Sequence, residues 1–193
     1  MKSSRYAIIF ALLTCLVSAA AAQETKPTGF HGDTGLYGEY FRFQGLQTDM
    51  AGVGGRLSLN VFSTRYEDEA EFGFLGNRGL SKNISAGNSN IRVLHGLFGP
   101  KLDLNHGKVR PFVTAKGGFF NTEINGGAPQ PAFASQINSI RRNNINAAFY
   151  PGGGVEASLG ERFSLRMDVG DEMVFNDKVN HNLRLTFGPR LRF

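Results

Sequence analysis

Residues 181–193, HNLRLTFGPRLRF, leave this chain few folds to choose from. Leu183, Leu185, Phe187, Leu191 and Phe193 fall on alternate positions, with Pro189 among them, and Arg184, Thr186, Gly188, Arg190 and Arg192 fill the gaps. Side chains of a strand point alternately to its two faces. One face of this strand is therefore apolar and the other carries three arginines. In one arrangement the apolar face lines a core and the arginines meet water. In the other the apolar face meets hydrocarbon and the arginines turn inward.

The start of the chain bears on that choice. Lys2 and Arg5 make a positive n-region, residues 6–17 an apolar stretch, and Ala20, Ala21 and Ala22 a small-residue cleavage site before Gln23. That order predicts a secretory signal over residues 1–22, too short for a spanning helix. Its removal takes with it Cys15, the single cysteine of the 193 residues, so no disulfide or cysteine metal site is expected. It also takes two charges from the formal net +5, leaving too mild a balance to argue for nucleic acid. No apolar run in the remainder is long enough for a membrane helix. A barrel passes that test, because only alternate residues of each strand face lipid.

The two-faced pattern recurs along the chain. Residues 23–33 read as a polar lead in the periplasm, and residues 36–43 as a first, aromatic-rich strand whose alternation is blurred. Residues 52–61 set Val53, Leu57, Leu59 and Val61 against Gly54, Arg56, Ser58 and Asn60. Residues 69–75 set Ala70, Phe72 and Phe74 against Glu69 and Glu71, and residues 91–104 set Leu94, Phe98, Leu102 and Leu104 against His95, Lys101 and Asp103. Residues 109–120 oppose Val113, Ala115 and Phe119 to Thr114 and Lys116; residues 147–159 oppose Phe149, Val155, Ala157 and Leu159 to Tyr150, Glu156 and Ser158. Residues 163–175 oppose Phe163, Leu165, Met167 and Val169 to Ser164, Arg166, Asp168 and Glu172. The arginine-rich end makes eight. A slip of one residue in the seventh would turn Arg166 and Asp168 to hydrocarbon, and an arginine at the bilayer midplane costs about 2–4 kcal/mol. The links after strands two, four and six are short, and those after one, three and five are longer, as periplasmic turns and external loops are; the link after seven, residues 176–180, is short for an external loop. The expected fold is all-β: an eight-stranded antiparallel up-and-down transmembrane β-barrel over residues 34–193.

Several short motifs then carry a resemblance. Gly38-Glu39-Tyr40, Arg110-Pro111-Phe112, Gly152-Gly153-Gly154-Val155-Glu156, Phe163-Ser164-Leu165-Arg166 and the closing Gly188-Pro189-Arg190-Leu191-Arg192-Phe193 occur in that order. With them the chain resembles the outer-membrane β-barrel domain family that includes OmpA-like, OmpX-like and opacity-type proteins. The resemblance implies insertion by the outer-membrane assembly machinery, which reads the last strand; here that signal would be Leu183, Leu185, Phe187, Leu191 and Phe193. It also implies contact with outer-membrane lipid and lipopolysaccharide.

The inward charges form the leading constellation: Arg56, Glu69, Glu71, Lys101, Asp103, Lys116, Glu156, Arg166, Asp168, Arg184, Arg190 and Arg192. An eight-stranded barrel is just wide enough inside for side chains to fill, and buried charges are tolerated when paired. A paired plug is thus favoured over an ion path, with a narrow porin-like pore as the alternative. A lipid A-modifying enzyme is disfavoured, because no histidine of the chain opens a His-x-Ser pair. His95 among inward carboxylates reads as a hydrogen-bonded lumen residue rather than a base. His181 near Asp177 offers two ligands, which do not make a metal site. Gly52–Gly55 and Gly152–Gly154 open no helix, so they are not phosphate loops. Neither cofactor nor metal is expected. Arg141 and Arg142, in the long link at 121–146, are candidates for loop contact with phosphates or an acidic partner. The expected role is structural or interactive, in a monomer with both mature termini in the periplasm.

Overall fold

The computed structural model describes residues 31–44, 47–63, 65–76, 90–125, 145–176 and 178–193. Ten strand segments follow one another: β1 (His31–Phe43), β2 (Thr48–Ser63), β3 (Tyr66–Gly76), β4 (Asn90–Asp103), β5 (Val109–Asn125), β6 (Ile145–Ser158), β7 (Phe163–Asp171), β8 (Met173–Phe175), β9 (Val179–Asn180) and β10 (Leu183–Arg192). Each of β1 to β6 pairs antiparallel with the next, and β10 pairs with both β7 and β1, so the sheet closes. β7 and β8 are one stave interrupted at Glu172. β9 and β10 are another interrupted at His181 and Asn182; across both breaks the partners keep the same register. The result is a closed barrel of eight staves.

The interruption is itself held. Glu172 N–H donates to Asn182 O at 2.8 Å, Asn182 N–H to Asp171 Oδ1 at 2.9 Å, and Asn182 Nδ2 to Glu172 O at 2.9 Å. The chain therefore crosses the break without orphaned backbone donors at this point, and Glu172 still points inward, fully buried.

Face assignment follows the alternation of residue types. Leu57, Phe72, Phe98, Val113, Met167, Leu185 and Phe187 are exposed on the outer wall, while Arg56, Glu71, Lys101, Lys116, Arg166 and Arg184 are buried inside. The five apolar residues of the last strand, Leu183, Leu185, Phe187, Leu191 and Phe193, all stand on the outer wall. Among the described residues no helix is long and apolar enough to cross a membrane.

Two differences from the sequence reading have clear causes. β1 starts at His31, not near Leu36: Gly32 and Asp33 pair with Leu59 and Ser58, and Gly32 exchanges backbone hydrogen bonds with Phe193 at 3.2 and 2.9 Å. The last part of the stretch read as a polar lead is thus barrel wall. At the opposite end β2 and β5 also outrun the alternating segments, whereas β3 extends over residues 66–68 at the end near the termini. At the end near the long links most of the inward residues are apolar (Phe41, Phe43, Met50, Leu75, Ile91, Val93, Phe120, Ile124 and Val174 form one buried cluster, with Thr48, Thr122 and Asn146 buried beside it), while Arg92 and Glu123 face outward. An inverted pattern is still a strand, but it no longer matches a search for polar-in, apolar-out. Ionic filling therefore occupies the part of the lumen nearer the chain termini, and an apolar core closes the part nearer the long links.

Candidate functional site

The charged lumen is built in tiers. Nearest the termini, Arg190 from β10 is buried among Asp33, Glu67 and Glu156: Nε donates to Asp33 Oδ1 at 2.8 Å and Nη2 to Glu67 Oε2 at 2.8 Å, while Nη1 pairs with Glu156. Lys101 from β4 reaches Asp103 at 2.8 Å, Glu67 at 3.0 Å and Glu156 at 3.3 Å. Arg110 and Arg192 close the mouth, both on Glu156, the latter at 2.9 Å.

In the middle tier Arg166 contacts Glu69 and, at 3.0 Å, Asp168. Arg56 donates to Asp168 and to the Thr186 hydroxyl, each at 3.0 Å, and Lys116 lies between Glu69 and Glu71, 2.8 Å from the latter. Aromatic faces cover these cations: Phe112 under Arg166 at 4.2 Å and Tyr37 under Arg56 at 4.5 Å. Such stacking suits a desolvated guanidinium. Tyr37 fits because Gly54 lies opposite; a methyl group there would overlap the ring.

The third tier meets the apolar core. Arg184 donates to Glu39 at 2.6 Å and Glu71 at 3.0 Å, and its Nε is 3.6 Å from Glu172. His95 stands between Glu39 and Glu172, each ring nitrogen 3.1 Å from a carboxylate oxygen. The Phe120 ring lies against it, 6.2 Å between centroids.

All twelve residues of the sequence-derived network lie on this inward side, eleven of them buried and Arg192 partly so. Four carboxylates join that the network list omits. Asp33 and Glu67 fall in stretches read as lead and link. Glu39 lies in the strand whose alternation is blurred by Tyr40, Phe41 and Phe43. Glu172 shares the inward phase of Arg166 and Asp168, so its spacing was the available signal. Among the described residues the interior then holds nine carboxylates (Asp33, Glu39, Glu67, Glu69, Glu71, Asp103, Glu156, Asp168, Glu172) and eight lysine or arginine groups (Arg56, Lys101, Arg110, Lys116, Arg166, Arg184, Arg190, Arg192). His181 pairs with Asp171 at 2.5 Å on the outside. Asp177, Arg141, Arg142, residues 1–30 and the side chain of Val61 lie outside the described residues.

Comparison with known proteins gives a family and a set of similar barrels. A family model described as the outer membrane protein beta-barrel domain matches residues 8–190. No curated protein matches the sequence. Neisserial surface protein A is similar in structure at 15% identity and TM-score 0.54, covering 86% of this chain and 98% of that one. The N-terminal β-barrel domain of Pseudomonas aeruginosa OprF matches at 13% identity and TM-score 0.51, covering 84% and 97%. Ail, the attachment invasion locus protein of Yersinia pestis, solved with the heparin analogue sucrose octasulfate, matches at 13% identity and TM-score 0.51, covering 85% and 97%. Identities this low speak for the fold alone.

Proposed function

The chain belongs to the outer membrane protein β-barrel domain family, and from that premise we propose a non-conducting barrel that stabilises the envelope and presents its loops to ligands or surfaces. The observation that carries the reading is the filled interior. Six buried cations each lie within ion-pair distance of two or more carboxylates, and an apolar core lies over them. An ion crossing this barrel would have to separate desolvated pairs, and breaking such a pair by removing one partner costs about 3–5 kcal/mol.

In this reading the end with the chain termini faces the periplasm and the long links face outward. The outer wall contacts lipid and lipopolysaccharide, and the apolar face of β10 carries the signal read by the assembly machinery. Arg141 and Arg142 are proposed loop contacts. The family resemblance and the pairing of the three histidines whose side chains are described support a role without catalysis: His95 meets Glu39 and Glu172, His106 meets Arg65 at 2.6 Å, and His181 meets Asp171. The Ail structure illustrates that a barrel of this fold has been captured with a sulfated sugar.

Planar-bilayer recording tests the plug. The folded chain is expected to give no steady conductance steps, whereas reproducible steps at neutral pH would favour the narrow pore. Incubation with lipid A is expected to leave its acyl pattern unchanged; a lost or transferred chain would show an enzyme.

A further inference from the structure

The third tier holds an arrangement that pairing alone does not satisfy. A neutral imidazole carries one N–H and one lone pair, so His95 can donate to Glu39 or to Glu172 and not to both. The opposing nitrogen then faces a carboxylate oxygen at 3.1 Å, lone pair against lone pair. Glu172 Oε2 is buried with no hydrogen-bond partner among the described residues; its nearest ion-pair contact is Arg184 Nε at 3.6 Å. The interior as a whole carries one more carboxylate than lysine and arginine groups, and Glu39, Glu71 and Glu172 share Arg184. With His95 neutral this level is short of one positive charge, which a second proton on the ring or a bound cation would supply.

We propose that Glu39, His95 and Glu172 form a binding site for a divalent transition-metal ion of the zinc class. One ligand atom from each residue lies within 4.8 Å of the other two. Bonds of about 2.0–2.2 Å to nitrogen and carboxylate oxygen need side-chain shifts of about an ångström from there. A nitrogen with two carboxylate oxygens suits zinc, manganese or iron over calcium or copper(I). The surrounding structure already holds the donors. Arg184 binds Glu39 Oε1 and leaves Oε2 available, and the break between β7 and β8 is pinned by Asn182 so that Glu172 points inward. Gly73 supplies the space, because a methyl group there would overlap His95 Nε2 and Glu39 Oε2. The bound ion would tie β1, β4 and the β7–β8 stave across the lumen where the ionic tiers end.

The test uses the full-length chain purified from membranes in detergent without chelator, and the same protein unfolded in urea with EDTA and refolded with Zn²⁺ or Co²⁺. The expected result is about one equivalent of metal retained per chain after gel filtration, a cobalt d–d absorption band, and a higher melting temperature than the chelated protein. Glu172→Gln, checked for folding by its heat-dependent gel mobility, is expected to lose the metal and the band. Metal retained equally by Glu172→Gln and His95→Gln would overturn the site, as would a metal-free protein in both preparations. In the metal-free case, ¹⁵N shifts of His95 showing both ring nitrogens protonated at neutral pH would identify a proton as the missing charge.

Discussion

β4 shows in one strand how the barrel changes character along its height. Near the termini its inward residues are Lys101 and Asp103 and its outward ones Phe98 and Leu102; near the long links the inward residues are Ile91 and Val93 and Arg92 faces out. The first half is organised for an oily surround, with ions packed inside. The second has the polarity of a water-soluble protein, with an apolar core and a charged exterior. His95 and Glu39 stand at the join. One hydrogen-bonded wall serves both environments, because every strand satisfies its backbone through its neighbours regardless of what surrounds it. What differs is which side-chain face receives the apolar residues, and we expect the edge of the hydrocarbon band between Arg92 and Leu94.

The largest predicted effect lies in the ionic half. Arg166→Leu removes the guanidinium shared by Glu69 and Asp168, leaving two carboxylates in a site without water to replace it. A loss of about 3–5 kcal/mol is expected for a broken buried pair, read by urea unfolding in lipid vesicles. The chain has no tryptophan, so circular dichroism or cold gel mobility must follow the transition. A loss below about 1 kcal/mol, the range of an exposed pair, would mean that water reaches this tier, and the contrast between the halves would fail.

Next comes the wall. Phe98 is outward on β4 and 55% exposed in the isolated barrel. Phe98→Arg is expected to cost about 2–4 kcal/mol if the residue sits near the bilayer midplane. The same substitution assayed in thin-chain and thick-chain lipid should cost less in the thinner bilayer, where the guanidinium reaches the interface more easily.

That comparison also explains what the sequence disclosed. The strands over Leu57, Phe72, Phe98, Met167 and Leu185 were legible because apolar and charged residues alternate strictly there, and a one-residue slip would invert every side chain. The apolar half was not. Phe41, Phe43 and Met50 lie inward beside an outward Tyr40 and Arg42, which reads as blurred alternation when a single polarity is sought along the whole strand. Asp33 and Glu67 were missed for a related reason: each lies near the end of a strand next to polar neighbours, and only pairing across the sheet shows that it faces Arg190. Glu172 and His95 had the right phase, yet their convergence depends on bringing β4 and the seventh stave together across the lumen.

A smaller effect is expected in the apolar half. Ile91 is fully buried in the cluster with Val93 and Phe120, so Ile91→Val should cost about 0.5–1.5 kcal/mol, as in the core of a soluble protein. Changing the bilayer should leave that cost unaltered. A dependence on lipid thickness would put this level inside the hydrocarbon.

The smallest predicted effect sharpens the boundary most. Arg92 is exposed and outward on β4, six residues and three outward positions from Phe98. In hydrocarbon an arginine would be costly, so Arg92→Leu would stabilise the barrel by an amount comparable to the penalty at Phe98. In water the exchange trades one solvated side chain for another, and surface changes of that kind stay within about 0.5 kcal/mol. The polarity of the neighbouring interior argues for water: Ile91 and Val93 are buried under a charged exterior, which is the arrangement hydrophobic burial produces when the solvent lies outside. Unchanged stability of Arg92→Leu in vesicles, beside a clear loss for Phe98→Arg, would fix the membrane edge to within one turn of the pleat.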